Sequence, residues 1–156
     1  MTTATDPIYL DYNATAPIRP EVIDLVAEIM AIVGNASSVH KAGRAARERV
    51  DTARRQVADL IGAQAKNVIF TGGGTEADNL ALRGFLPRHL VVSGIEHGAI
   101  LAPALLLDPG ATIVDVDADG RLDLASLEAA LAGDEGPALV SLMLANNETG
   151  VIQPVA

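Results

Sequence analysis

The 156-residue chain contains no cysteine. Disulfides, thiolate-held metals and a cysteine nucleophile are therefore excluded within it. Lysine is almost absent too: Lys41 and Lys66 are the only two. No apolar run approaches the roughly 20 residues needed to span a bilayer. The start, MTTATDPIYL, has neither a basic opening nor an apolar signal core, which argues against secretion and for a cytoplasmic location. Positive charge is scarce, with 11 Lys and Arg against 20 Asp and Glu, a formal charge of −9. A nucleic-acid footprint would need a basic patch. The one basic run, HKAGRAARERV, is interrupted by Glu48 and followed by Asp51, and reads as a solvated helix face. Nothing points to a metal site or a membrane.

What is present suits one foldable domain. Apolar residues make up 49% of the chain and charged residues 20%, enough for a core. EVIDLVAEIM (21–30) carries apolar residues at helical spacing, with Pro20 suited to a first turn and Gly34–Asn35 ending the helix. SSVHKAGRAARERVDTARRQVADLIG predicts a long helix capped by Ser37 or Ser38 and closed near Gly62. From Asn67 onward strand and helix alternate. NVIFT, HLVVSG, ATIVDVD and PALVSLMLA are the expected strands. GGGTEADNLALRGF, EHGAILAPALLL and LDLASLEAALAG are the expected helices, the last capped near Asp123 and the second made irregular by Pro103. This alternation predicts an α/β fold with a mostly parallel sheet and flanking helices. Residues 1–20 form an irregular lead, and 21–156 one partial α/β domain. The end, VIQPVA after NNETG, comes where such a sheet would continue with a helix, and so looks cut.

In open α/β sheets, ligands bind beyond the carboxyl ends of the strands. Three strand ends carry polar clusters here: TGGGTEADN, SGIEHG and ANNETG. The glycine turn precedes a helix, whose free N–H groups and dipole favour an anion such as phosphate. Thr75 would add a hydroxyl donor. Alternatively the glycines only make a tight turn, with Thr75 as N-cap and Asp78 completing a capping box. Both readings remain open on the turn alone. A Walker loop needs Gly-Lys-Ser/Thr, which is missing. The dinucleotide pattern matches as Gly72, Gly74 and Ala77, with Glu96 near the next strand end as a ribose contact, so a dinucleotide-binding domain of an oxidoreductase is a rival. It accounts neither for the two helices ahead of the first strand nor for NNETG. His97 is either a helix cap or an imidazole facing a ligand. Asn146 and Asn147 are either turn formers or ligand amides.

Five stretches settle the choice of family. YLDYNATAP, GNASSVHKAGRAARERV, VIFTGGGTEADNLAL, SGIEHGAIL and VSLMLANNETGVIQPV resemble, in the same order, segments of the cysteine desulfurases. These are class V aminotransferase-like enzymes that use pyridoxal 5′-phosphate (PLP). The resemblance covers about residues 9–154. It implies the N-terminal part of a fold type I PLP-binding large domain. It implies that Gly74 and Thr75 grip the PLP phosphate. His97 would lie against the pyridine ring and assist proton transfer, and Asn147 would contact the cofactor near its ring oxygen. The implied reaction takes sulfur from L-cysteine, or selenium from selenocysteine, leaves alanine, and passes sulfur to an acceptor protein for iron–sulfur cluster assembly. Dimers are implied as well.

The resemblance also shows what this chain lacks. The family holds PLP on a lysine as a Schiff base. Lys41 sits in SSVHK, which mimics the family's Ser-x-His-Lys motif. Its place well before the glycine turn assigns it instead to the family's early Ser-Ser-x-His-x-x-Gly segment. Lys66 reads as a helix-to-strand surface residue. The lysine motif, the aspartate that pairs the pyridine nitrogen and the sulfur-accepting cysteine belong after NNETG. The family often has proline where Ala36 stands. The chain is therefore expected to be inactive alone: a fragment, one half of an enzyme completed by a second chain, or a non-catalytic scaffold remnant.

Overall fold

The computed structural model describes residues 8–85, 89–133 and 136–155. Two compact units divide the chain, Met1–Phe70 and Thr71–Ala156.

The first unit is built on two helices, α1 (Pro20–Met30) and α2 (Lys41–Ile61). Pro20 takes the first-turn position of α1 as expected, but the helix stops at Met30, with Ala31 rather than Gly34 as its cap. Leu25 and Ile29 of α1 face Val50 and Ala53 of α2 across an apolar groove. The N-cap of α2 is not Ser37 or Ser38 but His40, whose Nδ1 accepts the Gly43 N–H at 3.3 Å. The two serines lie in the preceding turn, where Ser38 N donates to Asn35 O and Ser37 N to Asn35 Oδ1. Gly62 ends α2 at φ 67°, a left-handed conformation that glycine adopts without a Cβ penalty. The strand expected at 67–71 does not form. Residues 65–67 make a short 3₁₀ turn, and Val68 is extended with its carbonyl taken by the Arg54 guanidinium. The same guanidinium lies 5.0 Å from the Phe70 ring centroid. An apolar run makes a strand only when a neighbour pairs its backbone, and none does here.

The second unit is a parallel sheet with helices on both faces. Its strands are β1 (His89–Ser93), β2 (Thr112–Val114) and β3 (Ala138–Ser141), in the order β2-β1-β3. Val91 pairs with Thr112 on one side and with Val140 on the other, both parallel. Its helices are α3 (Gly74–Gly84), α4 (Gly98–Leu107) and α5 (Leu124–Leu131). Alternation along β1 divides the core. Leu90 and Val92 pack with Leu82 of α3 and with Ile100 and Ala104 of α4. Val91 packs on the other face with Val114, Leu122 and Leu127 of α5. Leu90, Val91 and Val92 are fully buried, worth about 1.5–3 kcal/mol each for the side chain. Asp123 caps α5 as predicted, accepting from the Ala125 and Ser126 amides. Pro103 lies inside α4 without ending it. None of the described helices is long and apolar enough to cross a membrane.

One buried carboxyl interrupts this apolar interior. Glu96 is 9% exposed, and its Oε1 has no hydrogen-bond partner among the described residues. Burial pushes its pKa above the ordinary 4.5; the Met143 backbone N–H pulls it down in part, and the nearby Asp78 charge raises it again.

Two predictions follow from packing and burial. A Cβ on Gly43 would stand 2.3 Å from Ser38 O, whereas one on Gly84 would meet nothing within 4 Å. Gly43→Ala should therefore lower the unfolding free energy by about 1–3 kcal/mol in urea titration, and Gly84→Ala by almost nothing. Equal effects would show that the close approach is not what demands glycine at 43. For Glu96, a pKa raised in the folded state supports folding below the unfolded value, and that support is lost as pH climbs through the folded one. Wild type should lose stability relative to Glu96→Gln as pH rises from 4.5 toward neutrality in urea titrations. A gap that does not change with pH would contradict this.

Candidate functional site

Parallel strands put all their carboxyl ends on one edge of the sheet. The segment after β1 carries Glu96 and His97, and the segment after β3 carries Asn146 and Asn147. Helix α3 packs against β1 through Leu82, which meets Leu90 and Val92. The repulsion between Asp78, on the first turns of α3, and Glu96 agrees with that placement.

The glycine turn is built differently from a Thr75-capped helix. The N-cap is Gly73, which has no side chain to cap with, and Thr75 is the second helical residue. The reciprocal carboxylate is Glu76 rather than Asp78: Gly72 N donates to Glu76 Oε2 at 2.7 Å. Thr71 Oγ1 donates to Gly73 O at 3.1 Å, and Asn79 Nδ2 to Thr75 O at 2.9 Å. An open concavity results, lined by Gly72, Gly73, Gly74, Thr75, Glu76 and Asn79. A Cβ on Gly73 or Gly74 would meet nothing within 4 Å, and neither residue has a left-handed φ. Neither crowding nor strain inside the protein therefore calls for glycine at these two positions. Their bareness leaves the amides of the first helical turn open to an anion from outside.

His97 is the N-cap of α4, as one of the two sequence readings allowed. Its Nδ1 accepts the Ala99 N–H at 3.1 Å. An acceptor Nδ1 places the proton of the neutral ring on Nε2. The cap thus fixes both ring orientation and tautomer without using Nε2.

Asn147 lies in the loop after β3. Its neighbour Asn146 organises that loop. Asn146 Oδ1 accepts from Glu148 N, Thr149 N and Thr149 Oγ1, at 3.0, 2.8 and 3.1 Å. Asn146 Nδ2 reaches across to Ile95 O at 3.1 Å, two residues before His97. The sequence offered Asn146 only as a turn former or a ligand amide; nothing in it marked a bond spanning 51 positions. Gln153 was also missed. It is buried, and its side chain accepts from Leu122 N and donates to Gly120 O, holding the turn before α5.

Other candidates fall away. Glu96 is enclosed and cannot serve as the exposed ribose contact of a dinucleotide site. Lys41 opens α2 and Lys66 lies in the 3₁₀ turn, both exposed and both in the first unit. Among the described residues no cluster of His, Cys, Asp or Glu could hold a metal.

Comparison with known proteins supports this architecture. An IscS-like cysteine desulfurase of Mycobacterium tuberculosis is 42% identical over 95% of this chain and 41% of its own length. A NifS-like protein of Rickettsia africae superposes with a TM-score of 0.86 at 36% identity, over 94% of this chain and 42% of that one. A structure described as SspA in complex with cysteine superposes at 0.81 and 27% identity, over 94% and 44%. The chain thus spans about 40% of the length of the relatives it matches. No support appears for an oxidoreductase. The aminotransferase class-V family matches residues 8–156, and the chain belongs to it.

Proposed function

We propose that residues 21–156 form the N-terminal part of a PLP-binding large domain in a cysteine desulfurase. The observation that carries this reading is the glycine turn. Gly73 and Gly74 are bare where neither packing nor φ requires it, and Thr75 is left out of the cap. A phosphate monoester fits there, taken by the open amides around Gly74 and by the Thr75 hydroxyl. The similarity to IscS-like and NifS-like proteins, in a class V aminotransferase family, supports PLP as the whole cofactor.

When bound, PLP supplies an electron sink for bonds broken at the substrate amino acid. The chain's own residues do the remaining work. Gly74 and Thr75 hold the phosphate. His97 presents its Nε2–H to the ring, since Nδ1 is engaged with Ala99 N. A proton held at Nε2 makes it a donor at that face. Asn147 offers its amide near the ring oxygen. The substrate is L-cysteine or selenocysteine, and the acceptor a protein serving iron–sulfur cluster assembly in the cytoplasm. Two groups the reaction needs, a Schiff-base lysine and a sulfur-accepting cysteine, are assigned outside these residues: there is no cysteine, and Lys41 lies in the early Ser-Ser-x-His-x-x-Gly segment while Lys66 is an exposed residue of the 3₁₀ turn. They come from the remainder of the enzyme, either continuous with this chain or on a second chain, and the assembly is a dimer or hetero-oligomer.

Three outcomes test this. Borohydride treatment of the chain with PLP should leave neither Lys41 nor Lys66 modified by mass spectrometry; modification at Lys41 would relocate the anchor. In the complete enzyme, Thr75→Ala should weaken PLP retention about tenfold with little change in melting temperature. Equal loss of fold and cofactor would reduce Thr75 to a structural residue. His97→Ala should cut turnover by about 10²-fold or more with PLP still bound; unchanged turnover would remove His97 from the chemistry, and a scaffold protein would show no turnover to lose.

A further inference from the structure

We infer that Asn146 is a positioning residue that holds the His97 segment against the Asn147 loop. The inference rests on the reading above only for its purpose, which is to keep His97 and Asn147 in place for one ligand. Its geometry stands alone.

The side chain of Asn146 faces two ways. Its Oδ1 closes the loop by accepting from Glu148 N, Thr149 N and Thr149 Oγ1. Three donors on one oxygen leave only Nδ2 to face the other segment, so the amide orientation is set by the network rather than chosen. Nδ2 then donates to Ile95 O at 3.1 Å. The backbone of Asn146 is engaged too, donating to Val151 O and accepting from Gly150 N at 2.9 Å each. Several hydrogen bonds of the loop thus converge on Asn146, and its side-chain arm to the segment after β1 lands two residues from His97.

That landing point matters because the segment around it is short and capped. Glu96 N donates to Ser93 O, Ala99 N to His97 Nδ1 and Ile100 N to His97 O. A shift at Ile95 passes directly to the cap that fixes the His97 ring. Glu96 adds a second point of contact, since its carboxyl faces the Met143 amide of the segment leading into the Asn147 loop. The side-chain oxygen and nitrogen of Asn146 are thus both engaged within the protein, and it acts through its neighbours.

Amide hydrogen exchange on the chain as it stands tests this, with no cofactor present. Asn146→Asp keeps an oxygen for the three loop donors but puts a second oxygen against Ile95 O. Exchange at Glu96, Ala99 and Ile100 should accelerate up to about tenfold, with Glu148 and Thr149 unchanged. The His97 ring signal should shift in a carbon–proton correlation spectrum, while those of His40 and His89 stay fixed. Should the aspartate variant not fold, Asn146→Ser, whose shorter hydroxyl can serve the loop but cannot reach Ile95, takes its place with the same expectation. Unchanged exchange at 96–100, or equal acceleration in both segments, would overturn the inference and leave Asn146 a local turn former. Because PLP is absent, a negative result here leaves the cofactor reading standing, and failure to bind PLP leaves this one standing.

Discussion

The second unit depends on β1 being buried on both faces. Leu90, Val91 and Val92 have no exposure at all. A strand in that position has no solvent side on which to place a polar group, so polarity collects at its two ends. At the entry end, Asp108 accepts from Leu90 N at 3.0 Å and Gly110 N at 2.9 Å. Those amides, with His89 close by, hold its pKa below the ordinary 3.8. At the exit end, Glu96 is enclosed with one oxygen unmatched, and its pKa moves the opposite way. The same strand thus carries a carboxylate stabilised in its charged form at one end and one destabilised in it at the other. Only the second lies beside the candidate site.

That contrast bears on anion binding at the exit edge. A phosphate at the glycine turn, as proposed, would meet the amides of α3 and also the Glu76 carboxylate bonded to Gly72 N. Glu76 tightens the turn at the cost of a negative charge beside the anion site. The site's electrostatics are therefore a balance of helix amides against nearby acids. Cations to tip it are few, since the second unit holds three arginines, Arg83, Arg88 and Arg121, and no lysine.

Much of this was legible in the sequence, and the failures have physical causes. The alternation of apolar runs gave β1, β2 and β3 and the helices after them, because buried strands and amphipathic helices depend on local pattern. The strand expected at 67–71 failed because pairing is not local. The cap of α2 was misplaced because Ser37 and Ser38 look like better caps than His40, yet the turn at Asn35 had already engaged them. At the proposed site, motif order nominates Gly74, Thr75, His97 and Asn147. What each does locally did not. That Thr75 is spared by Gly73 and Glu76, and that Asn146 bonds across to Ile95, depends on contacts between segments that no window of sequence contains.

The sheet is finished at its centre and open at its margins. Ile113 on β2 is 44% exposed and Val140 on β3 is 40% exposed, while the strand between them has no exposure in its middle. Parallel sheets are normally covered on both faces along their whole width. Burial of apolar surface is worth about 25 cal/mol per Å², so the uncovered margins forgo a real stabilisation. In this family the relatives carry more than twice this length of chain. The residues here make a complete wall because β1 is fully packed, and wall residues depend only on β1 and the loops it anchors. That is why the glycine turn, the His97 cap and the Asn146 loop can form around β1 while the faces of β2 and β3 stay partly uncovered.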